Sequence, residues 1–157
     1  MCIYAMALGY VEVWSAFSVA ATILQRVLAR LLLLTPMMEP ATPVAAAALL
    51  VLAGVYQLTP LKAACLSVCR SPIMWLSAKW REGVRGAFQM GLAHGLYCLG
   101  CCWAMMLLLF AGGVMNLAVI LALTIWVAVE KLAPFGQQSA RVSGALLIAA
   151  GTWLLLP

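Results

Sequence analysis

The sequence predicts an all-α polytopic membrane protein: a single domain over residues 1–157 with about five transmembrane helices. Three observations carry this. Hydrophobic residues make up 67% of the chain and charged residues 8%, a composition that no soluble domain of this length needs. The mean hydropathy of +1.11 agrees. The apolar residues fall in runs separated by proline, glycine and basic stretches, so helices alternate with short connections.

The first span covers residues 3–24, and its helix is expected to continue through Arg26 and Arg30 toward Leu34. No cleavage site follows it, so it reads as a retained span rather than a secretory signal. Residues 35–43 carry Pro36, Pro40 and Pro43 and read as a broken loop. The second span is 44–61. A polar, interfacial segment, 62–86, holds Lys62, Arg70, Lys79, Arg81 and Arg85, with Trp75 and Trp80 among them. Basic clusters beside spans mark cytoplasmic loops, and tryptophan marks the membrane interface. The third span is 87–110, followed by a turn at Gly112 and Gly113. The fourth is 114–132, and the fifth, 142–156, is short enough to need flanking residues. With the N-terminus cytoplasmic, seven of nine Lys and Arg residues lie inside. Arg26 and Arg30 then snorkel on the far side. Because the charges lie between spans, nucleic-acid binding is excluded as a function class.

The chemistry concentrates in the third span. His94, Cys98 and Cys101 fall at i, i+4 and i+7, one face of a helix. Met90 and Met105 extend that stripe by one turn each way, and Cys102 lies beside it. Cys65 and Cys69 form a second pair at i, i+4. Thiolate and imidazole bind zinc, copper and iron, and thiolate with thioether favours Cu(I). His94 and Cys98 are roughly 6 Å apart along the axis, within reach of one ion. His94 and Cys101 are roughly 10 Å apart, which is too far for a shared ion. A full site therefore needs ligands from elsewhere, and Cys65 and Cys69 are the obvious supply. The expected site is Cys65, Cys69, His94 and Cys98, with Cys101, Cys102 and Met105 as a deeper, softer position.

Each residue also has a plain structural role open to it. A single cysteine in a span is a small apolar residue, and methionines pack. Glu12 is the one acid expected near mid-membrane, and such a group is a functional candidate by default; the alternative is that it lies at the interface. Gln57 and Asn116 read as hydrogen-bonding residues between helices. Tyr97 reads as packing. Glu130 and Lys131 read as a solvated interfacial pair.

These motifs resemble a known bacterial family. They are the string from Tyr56 through Thr59, Pro60 and Lys62 to Cys65-x-x-x-Cys69-Arg70-Ser71-Pro72, then His94-Gly95-x-x-Cys98-x-Gly100-Cys101-Cys102-Trp103, then Gly113-x-Met115-Asn116. The family is described as predicted metal-binding integral membrane proteins, a domain of unknown function. The resemblance covers residues 9–134, with Gly9, Tyr10 and Trp14 fitting more weakly. It implies a multi-span protein of the bacterial inner membrane with a metal site on the Cys and His positions named. Two departures stand out. Members often carry a His where this chain has Val68, and an earlier Met-rich span that this chain lacks, so an N-terminal span is expected to be missing or the start misplaced.

Three function classes follow. The first is membrane-embedded handling of a soft transition metal, copper in preference to zinc, with a metallochaperone or a membrane protein complex as partner beside the lipid bilayer. The second is a membrane thiol–disulfide oxidoreductase working with a quinone through Cys98-x-x-Cys101 and the Cys65–Cys69 pair. The third is a structural or assembly subunit in which these residues only pack. Hydrolysis has no support, since no nucleophile–base–acid set and no phosphate loop occurs.

Overall fold

The computed structural model describes residues 2–31, 41–113 and 116–156. Among them are seven helices: α1 (Cys2–Arg30), α2 (Pro43–Gln57), α3 (Pro60–Arg70), α4 (Pro72–Ala78), α5 (Gly83–Gly112), α6 (Leu117–Leu132) and α7 (Gly136–Leu155). Most of the proline-rich loop, the extension to Leu34, and Val114 and Met115 lie outside the described residues.

Three helices start at a proline, where the missing N–H has no intrahelical partner to lose. The Thr42 hydroxyl caps α2 by accepting from Ala45 N at 3.2 Å. Thr59 does more. Its hydroxyl accepts from Lys62 N at 3.2 Å, opening α3, and donates to Tyr56 O at 2.7 Å, closing α2. Pro60 cannot continue α2, so the chain bends by 66° between the two helices. The 62–86 segment expected as an interfacial loop is thus largely helical, in α3 and α4. Asn116 caps α6, accepting from Ala118 N at 3.1 Å, instead of bonding across helices.

The expected five spans are corrected. Two helices, α1 and α5, are long and apolar enough to cross a membrane, and a third crossing is available if the bent pair α2–α3 acts as one span. The 16 residues of α6 reach roughly 24 Å, short of a hydrocarbon core about 30 Å thick. The 20-residue α7 begins with Gln137, Gln138, Ser139 and Arg141, too polar for the lipid interior.

Glycine decides the packing. A Cβ on Gly91 would collide with Met6 O, and one on Gly9 with Phe88 O. Higher up, Gly95 faces Val13 and Tyr10, so α1 and α5 run parallel in backbone contact. In the same way, a Cβ on Gly54 would lie 2.7 Å from Gly144 O, and one on Gly151 3.0 Å from Ala47 O. Contact order reverses there, so α2 and α7 are antiparallel. Small residues permit such approach where lipid supplies no hydrophobic force between helices. Val119 abuts Gly112, and Val127 packs on the Cys101–Cys102 cluster, which returns α6 along α5.

Gly91→Val is expected to lower stability by about 1–3 kcal/mol through overpacking, read as thermal unfolding in detergent. Ala16→Val, on an exposed part of the same α1, should change it little.

Candidate metal centre

The bend places α3 across α5. Cys65 Sγ sits 2.8 Å from where a Cβ on Gly100 would stand, so the glycine makes room for the thiol. One turn on, Cys69 Sγ lies 3.2 Å from Cys98 Sγ and 3.5 Å from Cys101 Sγ. Cys98 and Cys101 are three residues apart on one face of α5, and Cys69 bridges them from the facing helix. The Cys101 and Cys102 thiols each donate to Cys98 O at 3.0 Å. Cys65, Cys101 and Cys102 share one buried cluster with Leu66 and Ala140, against which Cys69, Trp14 and Tyr97 pack.

His94 approaches this group from one turn earlier on α5, with Nε2 3.8 Å from Cys98 Sγ. Aromatic rings flank it: Tyr10 of α1 at 6.2 Å and Trp75 of α4 at 5.6 Å between centroids. Trp75 also meets Tyr97 edge-on. His94 Nδ1 is buried and finds no hydrogen-bond partner among the described residues. Beside this end of the site, a cavity of about 310 Å³ is lined by Trp75, Tyr97, Gln89, Lys79 and Arg81.

The expected set is therefore rearranged. Cys101, placed by the sequence reading in a deeper second position, stands with Cys69 and Cys98. Cys65 lies a turn away at Gly100. Met90 Sδ accepts from Arg81 N at 3.3 Å, and Met105 is buried with Ala53, Ala104 and Leu108, so both methionines pack. Glu12 is exposed on α1. Cys2 is exposed at the chain start.

Among the described residues, no three His, Cys, Asp or Glu side chains stand ready in a formed ion cage. The sulfurs lie at thiol hydrogen-bonding separations. Sulfurs sharing an ion at about 2.3 Å each stand about 4 Å apart, so Cys69 needs to draw back from Cys98 and from Cys101 by about 1 Å or less. The donor set itself, three thiols beside an imidazole with no carboxylate bonded to them among the described residues, is soft and suits Cu(I).

The sequence reading missed a second buried group. Lys62 and Glu130, expected on cytoplasmic and interfacial surfaces, are 1% and 2% exposed and paired at 2.7 Å. Gln57 Nε2 donates to Glu130 Oε1 at 2.8 Å, in line with its expected role between helices. A signal for Lys62 was present. Thr59-Pro60 is a helix start, and it puts Lys62, Cys65 and Cys69 at i, i+3 and i+7 on one face.

One protein-family model matches residues 2–154, nearly the whole chain, and describes PpoB2, a copper chaperone. No curated protein and no solved structure matches the chain significantly.

Diamide oxidation of the metal-free protein is expected to link Cys69 to Cys98 or Cys101 before any other pair, as read by peptide mass spectrometry. A first bond from Cys65 to Cys102 would contradict this geometry.

Proposed function

The chain belongs to the PpoB2 copper chaperone family, and from that premise we propose that it carries Cu(I) as cargo inside the membrane on Cys69, Cys98 and Cys101, with His94 beside them. The observation that supports this reading most is the Cys69 thiol lying between the other two at 3.2 and 3.5 Å. Two helices supply the ligands. A chaperone must release its ion, and ligands shared between helices separate without unfolding either one. Three thiols and an imidazole hold Cu(I) and zinc alike, so the choice of copper rests on the family. Cys65 and Cys102 form an adjacent position for hand-off.

The cavity beside Trp75 and Tyr97 is the entry route. Lys79 and Arg81 at its edge are exposed and mark the cytoplasmic side by the positive-inside rule. The protein on this reading resides in a bacterial inner membrane with its N-terminus in the cytoplasm. Its partners are a soluble metallochaperone or a membrane complex that receives the ion.

The same sulfur spacing favours one other reading, a membrane thiol–disulfide oxidoreductase. Alkylation trapping in cells separates them, because thiols that stay permanently free exclude a redox cycle.

Purified protein is expected to bind copper in proportion to chain, with sulfur scatterers dominating its X-ray absorption spectrum. Cys69→Ser and Cys98→Ser should each weaken Cu(I) binding by about tenfold or more against a chromophoric chelator, equivalent to about 1.4 kcal/mol. His94→Ala should remove the nitrogen scatterer. Unchanged affinity in the Cys69→Ser, Cys98→Ser double variant would refute the site.

A further inference from the structure

Helix α3 carries a basic residue near each end of its cysteine pair, and both reach the same short stretch of chain. Lys62, one turn before Cys65, places Nζ 2.7 Å from Glu130 Oε2. Arg70, next to Cys69, donates from one nitrogen to Ala133 O at 2.6 Å and Pro134 O at 2.8 Å. The anchors lie eight residues apart, roughly 12 Å along α3. Both thiols lie between them.

Glu130 itself is held from three helices. Its Oε1 accepts from Gln57 Nε2 of α2 at 2.8 Å and from Trp126 Nε1 of α6 at 3.2 Å. Ser143 of α7 lies 3.3 Å from the same oxygen and accepts from Gln57 at 2.9 Å. The carboxylate is thus a rigid hub, and Lys62 is the arm that ties α3 to it. A buried ion pair adds little net stability over well-packed apolar residues. What it supplies is direction. An apolar contact tolerates sliding along a helix face, whereas a fully buried Nζ and carboxylate at 2.7 Å leave one register.

We infer that residues 130–134 form a clamp setting the distance between the α3 and α5 thiols, with Lys62, Glu130 and Arg70 as positioning residues for the metal ligands. The inference deepens the copper reading and rests on it for its purpose, though the clamp can be measured without metal. Register matters because Cys69 must meet two sulfurs at once. A shift of one residue along α3 moves it roughly 1.5 Å, more than the spread an ion requires.

The test uses the full chain. Lys62→Met with Glu130→Gln removes both buried charges and keeps an acceptor for Gln57 and Trp126. Arg70→Gln releases the other end at a half-buried site. The readouts are thermal unfolding, the rate of diamide-driven Cys69–Cys98 bond formation without metal, and Cu(I) affinity. The clamp predicts wild-type unfolding for the double variant, with bond formation and Cu(I) binding each reduced about tenfold or more, as expected for misplaced reacting groups. If bond formation keeps its wild-type rate in both folded variants, the clamp is wrong. If the double variant does not fold, Arg70→Gln alone decides by the same criterion. Slowed bond formation in a protein whose wild type binds no Cu(I) would uphold the clamp and remove the copper reading.

Discussion

The 66° bend between α2 and α3 is the constraint on which the site depends. A straight continuation would carry Cys65 and Cys69 along the line of α2, antiparallel to α5. The bend lays α3 across α5 at Gly100, where the absent side chain admits Cys65 and the next turn brings Cys69 between Cys98 and Cys101. The cause is local. Pro60 cannot donate to the α2 ladder, and the Thr59 hydroxyl satisfies both helix ends at once, so the break leaves few backbone groups unpaired.

Around that crossing the fold is built from close backbone approach rather than large apolar side chains. The buried apolar residues are mainly alanine, cysteine and methionine, with glycines at the α1–α5 and α2–α7 contacts. Large apolar residues such as Ile3, Leu52 and Leu121 are instead exposed. In such a core, cysteine is a good packing residue as well as a ligand. The thiols therefore pack the helix crossing themselves.

Much of this was legible from residue order. The turn at Gly112 and Gly113 and the one-face stripe of His94, Cys98 and Cys101 are local signals, whereas the expected span 44–61 ran across the helix start at Thr59-Pro60. The count of spans was not. Apolar runs look alike whether they cross a bilayer or lean on other helices, and α6 and α7 are too short or too polar to cross. The buried Lys62–Glu130 pair was also hidden. Charged residues are almost never fully buried unless paired, and a partner 68 residues away leaves no mark on the sequence near either. Met90 and Met105 shared the helical stripe with His94, Cys98 and Cys101, yet periodicity carries no information about which neighbour occupies the facing surface.

By itself the sequence determined an apolar, helical chain, the connections at its proline and glycine stretches, and the presence of soft donors at helical spacing. These depend on interactions within a few residues: proline sterics, hydroxyl caps and the period of the helix. The tertiary structure alone decided that Cys101 joins Cys69 and Cys98 while Cys65 stands apart, that both methionines pack, and that Glu130 holds α3 through Lys62. Those outcomes turn on the angle at which one helix crosses another, and that angle is set by contacts between residues remote in the chain.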